Sequence, residues 1–163
     1  MSWMRPVVTM AATLRRLAPV GPVKDGQFQD GMAAYQAGDY VTAMKDWRRL
    51  AKQGDATAQN NLGALYAQGR GVLRDYTRAA KWFRLAAKHG YAAAQDNLGT
   101  LYRDGHGVPQ DYTRAAHWYR LAAAQGDVNA QFNLGLLYDQ GQGVPQDYTE
   151  RLFENTLNFG NLL

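Results

Sequence analysis

The chain has 163 residues, 46% of them hydrophobic and 20% charged, and a formal net charge of +4, a balance ordinary for a folded domain or a short repeat array. It contains no cysteine, which excludes disulfides, thiolate nucleophiles and cysteine-ligated zinc. One serine, Ser2, and two glutamates, Glu150 and Glu154, leave a serine hydrolase without a credible nucleophile and would force paired-carboxylate chemistry onto aspartates.

Residues 1–27 read as a flexible basic leader. They hold Arg5, Arg15, Arg16 and Lys24 against Asp25, whereas the remaining 136 residues carry 14 basic and 13 acidic groups. A nucleic-acid binder should concentrate basic charge on its folded part, so no nucleic-acid partner is expected. The apolar stretch VVTMAATL stops at Arg15 and Arg16. It is shorter than the roughly 18 residues that a membrane span needs, and no clean signal-peptide cleavage site follows it. The alternative is attachment to a membrane surface through the leader's cations. The compartment stays open, the cytoplasm being favoured over export by the lack of a clean signal.

Residues 28–54 form an abbreviated first unit. Tyr40 to Gly54 covers the same span as Tyr76 to Gly90, and Trp47 aligns with Phe83. The step from Tyr35 to Tyr40 is shorter than the step from Tyr66 to Tyr76, so the Gly-x-Gly-Val loop of the later units is missing here.

From residue 55 a 36-residue period dominates. AQNNLGALY, AQDNLGTLY and AQFNLGLLY recur, as do GRGVLRDYTR, GHGVPQDYTR and GQGVPQDYTE. The units are 55–90, 91–126 and a degenerate 127–163, and each predicts two helices. In the first, Ala58, Leu62, Leu65 and Tyr66 share one apolar face. Asp55 and Asp127 stand as N-caps there, while Tyr91 replaces that cap and predicts a weaker start. In the second, Asp75, Asp111 and Asp147 are N-caps, Tyr76, Ala80, Phe83 and Ala87 form the buried stripe, and Gly90 and Gly126 end the helix. Gly63, Gly99 and Gly135 sit inside first helices, where they are expected to let another helix approach closely.

The pattern A-x-x-x-L-G-x-x-Y-x-x-G-x-G-V-x-x-D-Y-x-x-A-x-x-W resembles the Sel-one-like repeat family, a relative of the tetratricopeptide repeats. The resemblance implies an all-α fold, a right-handed α-solenoid of stacked antiparallel helical hairpins, acting as an adaptor that binds a protein or peptide. Some cysteine-rich members are linked to β-lactam or cell-wall-fragment binding. That enzyme-like reading is kept as an alternative, although the paired cysteines behind it are absent here.

The repeat also tests candidate chemistry. His106 shares its position with Arg70 and Gln142, His117 with Lys81, and His89 with Gln125, as solvated sites do. No zinc-type spacing links the histidines, so neither metal, cofactor nor catalytic residue is expected and the chain is read as a non-enzyme. The Gly-x-Gly follows a helix and lacks Gly-Lys-Ser/Thr, which makes it a turn and not a phosphate loop. The Trp82–Arg84 and Trp118–Arg120 pairs are assigned to packing over base stacking.

Positions that vary between units are the remaining place for recognition. In the first helices these are Asn60, Ala64, Ala67 and Gln68, then Asp96, Thr100, Arg103 and Asp104, then Phe132, Leu136, Asp139 and Gln140. Their spacing puts them on a single face, expected to line the concave groove of the solenoid. Such a groove suits a peptide with a polar or basic segment and an apolar anchor, and reversing Arg103 and Asp104 together is expected to abolish capture without altering melting. After Asp147-Tyr148-Thr149 the pattern breaks. Arg151 and Leu152 replace the alanine pair, and Phe159, Leu162 and Leu163 follow. This segment caps the array irregularly, marks an array cut short, or docks on a second chain.

Overall fold

The computed structural model describes residues 25–143. They form seven α-helices in chain order: α1 (Asp25–Gln36), α2 (Tyr40–Lys52), α3 (Ala56–Gln68), α4 (Tyr76–Lys88), α5 (Ala92–Asp104), α6 (Tyr112–Ala124) and α7 (Val128–Asp139). No strand occurs among the described residues. Each helix packs on its chain neighbours, giving the hairpins α1/α2, α3/α4 and α5/α6 and a last first-type helix, α7. First helices form one layer and second helices the other, the architecture of a helical repeat solenoid. Helix α1 starts at Asp25, three residues before the boundary read from composition. Most of the basic leader, and the C-terminal segment with Asp147 and Glu154, lie outside the described residues.

Local chemistry sets the helix ends. The carboxylates of Asp55, Asp75, Asp111 and Asp127 accept from backbone N–H groups two or three residues on, at 2.8–3.1 Å. Each satisfies a donor that the helix itself cannot reach. Asp39 does the same for α2. Tyr91 gives α5 no side-chain capping hydrogen bond, yet α5 keeps the 13 residues of α3. Packing therefore holds that start. Helices α3 and α5 end on Gly69 and Gly105 in the left-handed region, at φ 68° and 69°.

Three mid-helix glycines are contact points, Gly31 against the Trp47 ring among them. A Cβ on Gly63 would lie 2.6 Å from the ring of Phe83, and one on Gly99 would lie 2.8 Å from the ring of Tyr119. Both rings are fully buried, so each hairpin closes by seating an aromatic from its second helix against bare backbone on its first. At Gly135 no described atom lies within 4 Å of the same point. The second glycine of each loop also meets backbone. Cβ atoms on Gly71, Gly107 and Gly143 would run into Tyr40, Tyr76 and Tyr112, where the second helix of the preceding unit begins. The Gly-x-Gly turn is thus an inter-unit contact.

Side chains reinforce the stack with the same period. Gln59, Gln95 and Gln131 donate through Nε2 to the carbonyls of Ala51, Ala87 and Ala123 at 3.0, 3.2 and 3.3 Å, tying each first helix to the last turn of the helix before it. Arg48, Arg84 and Arg120 donate to the hydroxyls of Tyr66, Tyr102 and Tyr138 at 3.2–3.3 Å, each from a second helix to the first helix of the next unit. Arg78 and Arg114 lie over the Tyr66 and Tyr102 rings from the other side.

Candidate functional site

The first helices also bond to one another. Asn97 Nδ2 of α5 donates to Asn60 Oδ1 of α3 at 3.1 Å, and Asn133 Nδ2 of α7 donates to Asp96 Oδ1 of α5 at 3.1 Å. This ladder decides the fate of the variable face. Asn60, Ala64 and Ala67 on α3 and Asp96 and Thr100 on α5 are all buried, and Thr100 also shares a hydrogen bond with the hydroxyl of Tyr119 at 3.0 Å. Within the array, this flank of each first helix faces the next first helix or its own hairpin partner. The surface open to a ligand is correspondingly narrower than the twelve varying positions.

Seven of those positions keep some exposure: Gln68, Arg103, Asp104, Phe132, Leu136, Asp139 and Gln140. Phe132 holds the repeat position of Asn60 and Asp96, one unit beyond Asp96, and is 63% exposed, because no described helix packs on that side of α7. Arg103, Asp104, Phe132, Leu136 and Gln140 line one depression of about 660 Å³ together with His106, Gln110, Tyr112 and Gln142. Gln68 and Asp139 do not line it.

Three hydrogen bonds to two residues anchor Arg103. Its Nε and Nη2 donate to the Asp104 carboxylate at 2.7 and 3.0 Å, and its Nη1 donates to Asn133 Oδ1 at 3.1 Å. The Asp104 hydrogen bond outweighs burial and raises the pKa of the guanidinium. Arg103 therefore bridges α5 and α7 as well as lining the depression, and reversing its charge would cut that bridge. A double reversal at 103 and 104 is expected to alter melting, contrary to the expectation from sequence. Nearby, Gln110 Nε2 donates to the Arg103 carbonyl at 2.8 Å and to the Tyr112 hydroxyl at 3.0 Å, fixing the wall of the depression.

The histidines stand apart from one another. His106 is exposed and stacks on Tyr76 at 4.6 Å with an interplanar angle of 16°. One unit earlier Arg70 lies over Tyr35 and Tyr40 and donates to the Tyr35 hydroxyl at 2.6 Å. The exchange of Arg for His at this position thus preserves a flat group on a tyrosine ring. His117 meets Trp118 edge-on, and His89 is the exposed C-cap of α4. No group of three or more His, Cys, Asp or Glu able to hold a metal occurs among the described residues. The Trp82 and Trp118 rings are half-buried, while Phe83 and Tyr119 beside them occupy the core.

Sequence reasoning overlooked the Asn and Gln contacts, although their invariance across AQNN, AQDN and AQFN was visible. Polar residues in a fixed register mark either a ligand or a repeated internal hydrogen bond, and the periodic partners needed coordinates.

Known proteins share the repeat and the fold. A family model described as the Sel1 repeat matches residues 56–91, 92–127 and 128–150. The crystal structure of c5321, a protective antigen present in uropathogenic Escherichia coli strains and displaying an SLR fold, is 37% identical, with a TM-score of 0.70 over 74% of this chain and 27% of that one. A Sel1 repeat protein from Oxalobacter formigenes is 36% identical, with a TM-score of 0.70 over 76% of this chain and 51% of that one. The chain thus spans between about a quarter and a half of the length of these structures. No curated protein matches it. Sel1 repeats generally serve as non-catalytic scaffolds for protein–protein interaction. With three tandem matches and this helical stack, the chain belongs to the Sel1-repeat family.

Proposed function

We propose that this chain is a non-enzymatic scaffold that captures a protein or peptide in the depression between the 105–112 loop and α7. The observation that carries the reading is the depression's chemistry. Phe132 and Leu136 offer an apolar floor from α7, with Gln140 at its end, and Asp104 and His106 offer polar groups from the end of α5 and the loop after it. An exposed phenylalanine beside a rigid polar wall suits a peptide with an apolar anchor and a polar or basic flank. Absence of cysteine takes away what the cell-wall-fragment alternative rested on.

The test is selection of peptides from a displayed random library against the full chain, followed by titration. Selected peptides should share an apolar anchor, and Phe132→Ser should weaken them by about tenfold or more with unchanged melting. Asp104→Asn should weaken those carrying a basic flank. Binding that ignores both substitutions would place the recognition surface elsewhere.

A further inference from the structure

The near-neutral count of charges over residues 28–163 conceals a segregation between layers. The second helices α2, α4 and α6 carry Lys45, Arg48, Arg49, Lys52, Arg78, Lys81, Arg84, Lys88, Arg114 and Arg120 against a single acid, Asp46. The first helices carry Arg103 alone against Asp30, Asp96, Asp104 and Asp139. Several of the arginines are engaged internally, with tyrosines or with the capping aspartates Asp75 and Asp111. The outward stripe is different. It reads Lys45, Arg49, Lys52 on α2, then Lys81, Leu85, Lys88 on α4, then His117, Leu121, Ala124 on α6, every one exposed.

None of the five cations in that stripe makes an ion pair among the described residues. Between and beside them, Leu85 and Leu121 are 44% and 39% exposed. The exposed stripes of the three second helices therefore run from cations on α2 to leucines on α4 and α6, with no acid among them. A depression of about 430 Å³ on α2 is lined by Lys45, Arg48, Arg49, Lys52 and Gln53 and does not reach Leu85 or Leu121, so a peptide seated there would leave the leucines uncovered. Base stacking needs exposed aromatic rings, and the stripe has only the His117 imidazole. A lipid surface supplies both complements at once, anionic headgroups for the lysines and an apolar layer just beneath for the leucines.

We infer that the outward face of α2, α4 and α6 docks on an anionic lipid surface, with Lys45, Arg49, Lys52, Lys81 and Lys88 on headgroups and Leu85 and Leu121 at the acyl boundary. This surface lies on the opposite layer from the peptide depression, so the scaffold can hold a partner and a membrane together. It stands independently of the peptide reading.

The test is flotation of the full chain with phosphatidylcholine vesicles containing or lacking phosphatidylglycerol. The chain should bind only the anionic vesicles. Each cation removed should cost about fivefold, so Lys45→Gln/Arg49→Gln/Lys52→Gln should weaken binding roughly a hundredfold, with helicity unchanged by circular dichroism. Leu85→Ser/Leu121→Ser should also weaken vesicle binding, while any capture of polyglutamate or duplex DNA should ignore that pair. Three outcomes overturn the inference: binding that survives the triple substitution, binding that disappears instead with Arg5→Gln/Arg15→Gln/Arg16→Gln in the leader, or binding indifferent to the leucines.

Discussion

Asn97 reaches from α5 to Asn60 on α3 at 3.1 Å, and both residues are buried. The bond recurs between Asn133 and Asp96, but Asn61, at the same repeat position in α3, is fully buried with neither amide atom hydrogen-bonded. A buried unpaired amide costs about 1–3 kcal/mol, and replacing it by an apolar group of similar shape recovers much of that. Asn61→Leu should therefore raise the melting temperature, whereas Asn97→Leu should lower it by a comparable free energy. Thermal unfolding followed by circular dichroism distinguishes the two. Equal losses would mean that the amide of Asn61 is satisfied.

The glycine slots predict a second asymmetry. Alanine favours a helix interior over glycine by about 1 kcal/mol, so without contacts all three substitutions would stabilise. At Gly63 and Gly99 the new methyl meets a buried aromatic ring, and overpacking of this kind costs roughly 1–3 kcal/mol. Gly63→Ala and Gly99→Ala should destabilise, while Gly135→Ala should be neutral or stabilising. Urea denaturation midpoints read this directly, and a loss at Gly135 matching the other two would mean that a side chain from outside the described residues fills that slot.

Ionisation of Tyr119 makes stability pH-dependent at the alkaline end. Burial raises its pKa above the ordinary value of 10.0, despite opposing contributions from the Thr100 hydrogen bond and Arg103. Tyr35 shifts the same way, again through burial. A phenol that stays neutral when folded but ionises when unfolded stabilises fully below the unfolded pKa and loses that contribution as pH rises toward the folded one. Stability should be flat up to about pH 10 and fall beyond it. In Tyr119→Phe the fall should be shallower, at the cost of the Thr100 bond at neutral pH. An unchanged alkaline slope in that variant would assign the fall to other groups.

The glutamine brace offers a local test. Gln95 Nε2 donates to the Ala87 carbonyl at 3.2 Å and its Oε1 accepts from Gln125 at 2.8 Å, so one side chain links α5 to α4 and α6. Gln95→Leu leaves the Ala87 carbonyl without that donor and should cost about 1–2 kcal/mol. Gln131→Leu, at an exposed and longer version of the brace, should cost less. Amide hydrogen exchange should accelerate most at the start of α5 in the first variant.

Much of the fold was legible because its determinants are local. Aspartate before a helix, glycine after it and apolar residues at helical spacing each act within one turn, and the 36-residue period multiplies every signal threefold. The variable face was harder. Spacing grouped Asn60 with Ala64 and Asp96 with Thr100 on one face, but a face adjacent to the core can meet either solvent or the next helix. Asn97 and Asn133 settle that for α3 and α5, and both lie on helices one unit further along.

The sequence by itself determined the helical hairpins, their aspartate caps and the glycines at which another helix comes close, since each follows from contacts at a fixed short separation. The tertiary structure alone decided which varying residues remain open to a partner and which way the charges point. Both depend on how one hairpin is rotated against the next, a geometry set by the sum of inter-unit contacts and written in no single stretch of chain.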